Sequence, residues 1–153
     1  MGRTIAGIDE IKSLVGQEVG VSRWYTIGAE RIAEFARVTE DEQWIHLDAE
    51  RAAKESPYGT TIAHGFLTLS FLSEMNRDAV DLQGDYKMRI NYGLNRVRFP
   101  AAAPAGCRVR GRFVLGAAED FGGGIQLRWD CTVEVEGQSK PALAAEWLVR
   151  VYV

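Results

Sequence analysis

The alternation across residues 125–135 constrains this chain more than any other feature. Ile125, Leu127, Trp129, Cys131, Val133 and Val135 interleave with Gln126, Arg128, Asp130, Thr132 and Glu134. A period of two over that length marks an antiparallel strand with one buried face and one wet face. The pattern recurs over 107–115, where Cys107, Val109, Gly111, Phe113 and Leu115 alternate with Arg108, Arg110 and Arg112. It recurs again over 143–153, and a fourth strand is expected over 86–99, ended by Pro100. Short links such as Gly122-Gly123-Gly124 and Glu136-Gly137-Gln138 join these segments.

Several strands with one apolar face need cover. Residues 66–75, FLTLSFLSEM, are apolar or small on nearly all sides, which describes a helix buried all round. The rest of the first half reads as helical and irregular. Ile32, Phe35 and Ala36 mark a short amphipathic helix after residues 26–29, and residues 39–47 read as a loop. Asp48 is placed to cap a second short helix through Glu55, before Ser56-Pro57-Tyr58-Gly59 breaks the chain. The expected fold is α+β: one domain over 1–153, a curved antiparallel sheet wrapped around a long central helix. Unpaired sheet edges favour a homodimer.

Composition closes off other classes. The chain has 153 residues, enough for one core without disulfides or a structural metal. Lys plus Arg is 18 against 21 for Asp plus Glu, a net charge of −3 and not the basic footprint of a nucleic-acid binder. No apolar run reaches membrane-spanning length, and the first twenty residues carry acids and no signal-peptide core. No membrane association is expected, and the cytoplasm is the default location. Cys107 and Cys131 share no metal-ligand spacing, so two buried, reduced thiols are expected.

The chain has only two histidines. His46 follows Asp41 by five residues, and a carboxylate with a neutral imidazole can hold and deprotonate one water. The same stretch also reads as a solvated acidic run, Glu40 to Glu42, ahead of a helix-entry histidine. His64 precedes Gly65 at the entry of the apolar helix. It reads either as a core histidine or as the edge of a ligand site, because the first N–H groups of a helix lack intrahelical partners. No HxxxH or HxH spacing exists, so no metal site is expected. The Gly122–Gly124 run lacks a following helix and a Walker lysine, and Ser70 and Ser73 lie outside any GxSxG context. Arg96, Arg98, Arg108, Arg110 and Arg112 read as a solvated sheet face or as a basic surface for a pyrophosphate or nucleotide tail.

Residues 41–48 (DEQWIHLD) and 61–72 (TIAHGFLTLSFL) resemble, in order and distance, the hydratase motif of the MaoC-like family. That family includes the (R)-specific enoyl-CoA hydratases and the nodulation protein N-like proteins. Residues 91–105 (NYGLNRVRFPAAAPA) resemble the strand and turn of the latter branch, and the resemblance covers 18–153. It implies a dimeric hot-dog fold and a hydro-lyase that converts trans-2-enoyl-CoA to (3R)-3-hydroxyacyl-CoA. No cofactor is implied, coenzyme A being part of the substrate. Asp41 and His46 would be the acid–base couple, with the Gly65 N–H supporting the thioester oxygen. Gln43, His64, Ser73, Asn91 and Tyr92 would contact substrate. The family's Asn is Gln43 here, which moves the amide out by one methylene. Hot-dog thioesterase activity, or a non-catalytic acyl-CoA-binding or assembly role, are the alternatives.

Overall fold

A computed structural model describes residues 2–153. In chain order the elements are β1 (Arg3–Ile5), α1 (Ile8–Ser13), β2 (Glu18–Val21), β3 (Tyr25–Ile27) and α2 (Ala29–Thr39). Then come α3 (Trp44–Leu47), α4 (Ala49–Glu55), α5 (Gly65–Ser70), α6 (Leu72–Ala79) and β4 (Val80–Leu82). The second half is β5 (Met88–Arg98), β6 (Cys107–Phe121), β7 (Gly124–Val135) and β8 (Leu143–Tyr152). The main sheet runs β2-β6-β7-β8-β5, with β3 also on β6, and every pairing in it is antiparallel.

The four long strands form where the alternation placed them, and burial alternates along β7 and β8. Their inward side chains build the core. Trp129 stands opposite Trp147, and Phe113 meets Trp129 edge-on at 6.3 Å. Strand β5 is the sheet edge and carries two irregularities, between Asn91 and Gly93 and between Asn95 and Arg98. Arg96 lies in the second with a positive φ of 51°, unusual for a side-chain-bearing residue.

The structure corrects several expectations in the first half. It is not only helical and irregular, because β1 to β4 lie there. Each is three or four residues long, too short for a period of two to show. Residues 39–47 are not one loop: α2 runs through Thr39, and Trp44–Leu47 forms a helical turn. Asp48 does cap α4, its Oδ1 accepting from the Arg51 N–H at 2.9 Å.

The central helix is α5 followed by α6. Phe71 keeps helical angles between them and shares its N–H between the Leu67 and Thr68 carbonyls. This helix is not buried all round. Leu67, Leu72, Met75 and Ala79 face the core, whereas Phe66 is 67% exposed and Ser70 and Ser73 are open. The open face lies beside edge strand β5, where nothing among the described residues covers it. Among the described residues, no helix is long and apolar enough to cross a membrane.

On the outer sheet face Arg108 pairs with Glu136, Arg110 with Glu134, and Arg112 with Glu18. These three match the solvated face of the two readings, whereas Arg96 reaches Glu146 only at 3.9 Å and Arg98 has no carboxylate partner among the described residues. Both cysteines are free. Cys131 is buried and its thiol pKa is pushed up by desolvation, but Cys107 is only half-buried.

Candidate active site

Three backbone segments assemble the site. Helix α2 ends at Glu40, whose left-handed conformation (φ 61°) turns the chain toward Asp41. The turn of α3 carries His46 inward, its N–H bonded to the Gln43 carbonyl at 3.0 Å. Residues 61–63 run extended between two neighbours. Ala63 N–H donates to Ala103 at 2.8 Å, Ala105 N–H to Thr61 at 2.9 Å, and Ile62 N–H to Ile45 at 3.1 Å. Pinned from both sides, this segment brings the Ile62 carbonyl to His46 and sets His64 at the N-cap of α5.

His46 Nδ1 lies 2.7 Å from the Ile62 carbonyl oxygen. A carbonyl only accepts, so Nδ1 carries the hydrogen and Nε2 of the neutral ring keeps its lone pair. His64 Nε2 donates in the same way to the Asp41 carbonyl at 2.9 Å, and its Nδ1 is buried without a partner. The two imidazoles stack at 3.8 Å, and Phe35 packs on His64 at 4.9 Å. Burial depresses the His46 pKa below its ordinary value; His64 adds to this, while the Ile62 hydrogen bond and Asp41 oppose it. His46 is therefore a neutral base near pH 7.

Side-chain donor atoms of Asp41, His46 and His64 lie within 4.8 Å of one another. Such a trio could be considered for a cation. Imidazole lone pairs lie in the ring plane, and two stacked rings only 24° from parallel aim those lone pairs side by side rather than at one point. What the trio offers instead is a carboxylate close to a neutral imidazole.

Gly65 opens α5, and its N–H donates to no group among the described residues. A Cβ at this position would lie 3.0 Å from the Phe99 ring, so glycine is what lets that ring rest against the helix start. A cavity of about 220 Å³ adjoins it, lined by Ile62, Gly65, Thr68, Phe99 and Ala103 among others. Gln43 is the N-cap residue of α3, exposed and without a side-chain cap bond.

The structure thus brings together Asp41, His46, His64 and Gly65. Ser73, Asn91 and Tyr92 form a second group further along the helix. Ser73 Oγ lies 3.3 Å from the Asn91 amide, and both line a groove between α6 and β5. Tyr92 sits at the irregularity in β5, lines the same groove, and places its ring 3.5 Å from the Arg150 guanidinium. The sequence reading did not single out the Ile62 carbonyl, Phe35 or Phe99 for the site. A backbone carbonyl has no residue signature, and the two phenylalanines read as ordinary apolar positions.

Comparison with known proteins shows the family and the fold. Residues 10–135 match the MaoC-like domain. A 3-hydroxyacyl-thioester dehydratase Z of Mycobacterium tuberculosis is 48% identical over 149 residues, covering 97% of both chains. Nodulation protein N of Rhizobium leguminosarum bv. viciae is 47% identical over 140 residues, 91% of this chain and 87% of that one. Among solved structures, the R-hydratase PhaJ1 of Pseudomonas aeruginosa superposes with a TM-score of 0.75 at 22% identity, covering 97% of this chain and 86% of that one. The (R)-hydratase of A. caviae gives 0.69 at 24%, covering 88% and 94%. These structures share the wrapped helix of the hot-dog fold, and with its sequence matched over most of its length the chain belongs to the MaoC-like family.

Proposed function

We propose that the chain adds water across the C2–C3 double bond of a trans-2-enoyl-CoA, giving the (3R)-3-hydroxyacyl-CoA, and catalyses the reverse dehydration. The class, a hydro-lyase, goes with the family and with the near-full-length dehydratase relative. The observation that carries the reading is His46. Its Nδ1–H is committed to Ile62, burial keeps the ring neutral, and Asp41 lies beside it.

Asp41 and His46 hold the water. As its oxygen bonds to C3, a proton passes to the couple and the double-bond electrons move toward the thioester oxygen. The Gly65 N–H supports that developing charge; a well-aimed donor of this kind is worth about 3–4 kcal/mol. The couple then returns a proton to C2, so the atoms of one water are added and nothing is oxidised or reduced. The thioester supplies the activation, so the reaction needs no metal or redox cofactor. His64 acts through Asp41, holding its backbone in place.

The chain would work as a homodimer. Met88, Ile90, Tyr92 and Leu94 are exposed on edge strand β5, which has an unpaired side. Two free thiols suit a reducing compartment, the cytoplasm.

Hydration of crotonyl-CoA and of a medium-chain trans-2-enoyl-CoA, followed by loss of the enoyl-thioester absorbance, tests the reading. Asp41→Asn and His46→Ala should each lower turnover about a hundredfold or more. Wild-type protein that hydrates neither ester would refute it, and release of free thiol instead would point to thioester hydrolysis.

A further inference from the structure

The groove along the central helix changes chemistry from one end to the other. One compartment, about 210 Å³, has Leu69, Leu72, Leu94 and Trp147 in its walls. Ser73, Asn91 and Trp147 also line a second compartment of about 220 Å³, whose walls add Arg77 and Arg89. Apolar walls that end at a cation fit an apolar ligand with a charged tip.

Arg89 is the unusual member. It pairs in register with Val151, a fully buried residue of β8, so it lies on the inward side of β5. Its Nη2 donates to Asn76 Oδ1 at 2.7 Å, and among the described residues no carboxylate comes within ion-pair distance. Arg77, by contrast, is paired with Glu74. Asn76 is completely buried, and because its oxygen faces the guanidinium, its Nδ2 is left with no acceptor. The Tyr86 hydroxyl also faces Arg89, and Arg77 lies close enough to repel it. A guanidinium cannot shed its proton, so this corner has charge and donors in excess of acceptors.

We propose that Arg89 holds a carboxylate at the far end of the substrate's acyl chain, which the hydratase reading runs along this groove. The inference rests on the hydratase reading, which sets the thioester at Gly65. Eight residues of helix separate Gly65 from Ser73, about 12 Å, and Asn76 lies nearly a turn beyond, a span for roughly ten to twelve carbons. The substrate class is then an enoyl thioester with a carboxylic acid at its other end, not a simple fatty acyl thioester. A phosphate of coenzyme A is the other source of negative charge for Arg89, and the test separates the two.

The measurement is the ratio of kcat/KM for two trans-2-enoyl-CoA esters of equal length, about ten carbons, one ending in a carboxylate and one in a methyl group. Wild type should prefer the carboxylate-ended ester. Arg89→Met should lower that preference about tenfold or more, and Arg89→Lys should restore part of it. A wild-type preference for the methyl-ended ester, or a preference unchanged in Arg89→Met, overturns the proposal. Equal weakening of both esters by Arg89→Met would assign Arg89 to a coenzyme A phosphate and overturn it too. If wild type hydrates nothing, crotonyl-CoA included, the hydratase reading fails separately. Thermal stabilisation by the saturated ten-carbon pair then decides: a larger shift with the carboxylate-ended ester, lost in Arg89→Met, supports the site, and equal shifts overturn it.

Discussion

Replacing His64 separates its structural task from its effect on catalysis. The residue is 2% exposed, stacks on His46, packs on Phe35, and donates to the Asp41 carbonyl. His64→Ala removes a buried ring, a change that costs ~2–5 kcal/mol in cores, and a hydrogen bond worth ~0.5–1.5 kcal/mol. The two overlap, so a loss of about 3 kcal/mol is expected, a fall in Tm of roughly 6–12 °C for a domain of this size. Catalysis should fall about a hundredfold, because Asp41 loses the anchor that fixes its distance from His46. The acid limb of kcat/KM should also move up toward pH 6.5, since His64 and burial both depress His46 and both are relieved. His64→Phe isolates the anchor, keeping the ring and deleting the donor. It should cost about 1 kcal/mol in stability while losing most of the same activity. The assays are thermal unfolding and steady-state hydration across pH. A His64→Phe enzyme within twofold of wild type would refute the reasoning, because Asp41 would then need no anchor.

Four further outcomes are expected. The acid limb of wild-type kcat/KM should lie below pH 6.5, and His46 should link to stability with a definite sign. A folded-state pKa below the unfolded value means the unfolded chain binds more protons between the two. Stability therefore rises with pH through that window and levels off above about 6.5. Urea midpoints on both sides of the window should differ more for wild type than for His46→Gln. Gly65→Ala should lower kcat about tenfold or more, since its Cβ meets Phe99 at 3.0 Å and crowds the amide; adding Phe99→Leu should recover part, measured as steady-state rates. Ile90→Lys on the β5 edge should shift sedimentation from dimer to monomer, and a dimer that persists would move the interface elsewhere.

The second half of the fold was legible because period-two alternation is a local property. Each of the strands read from residues 107–115, 125–135 and 143–153 carries its own record of which side faces the core, and the sheet needed only to pair them. The N-terminal strands were not legible, because β2 and β3 are stabilised mainly by docking on β6 and not by any pattern within three or four residues. Residues 66–75 are apolar or small on nearly all sides, which reads as a helix buried all round. Apolar composition cannot tell a face packed on the core from a face lying along an open sheet edge, which is where Phe66 sits.

The site divides in the same way. By itself the sequence determined the candidate groups, because residues 41–48 and 61–72 resemble the MaoC-like motif, while the spacings of Asp41, His46 and His64-Gly65 alone leave a solvated acidic run and a core histidine open. Tertiary structure decided what those groups can do. Which imidazole nitrogen is free depends on the Ile62 carbonyl, sixteen residues from His46, and where Asp41 stands depends on His64, twenty-three residues away. It also decided that Arg89, one arginine among many in the sequence, lies inward beside a buried asparagine, with no acid among the described residues to neutralise it. Proton position and charge compensation are set by distances of a few ångströms, and those distances exist only once remote segments have packed.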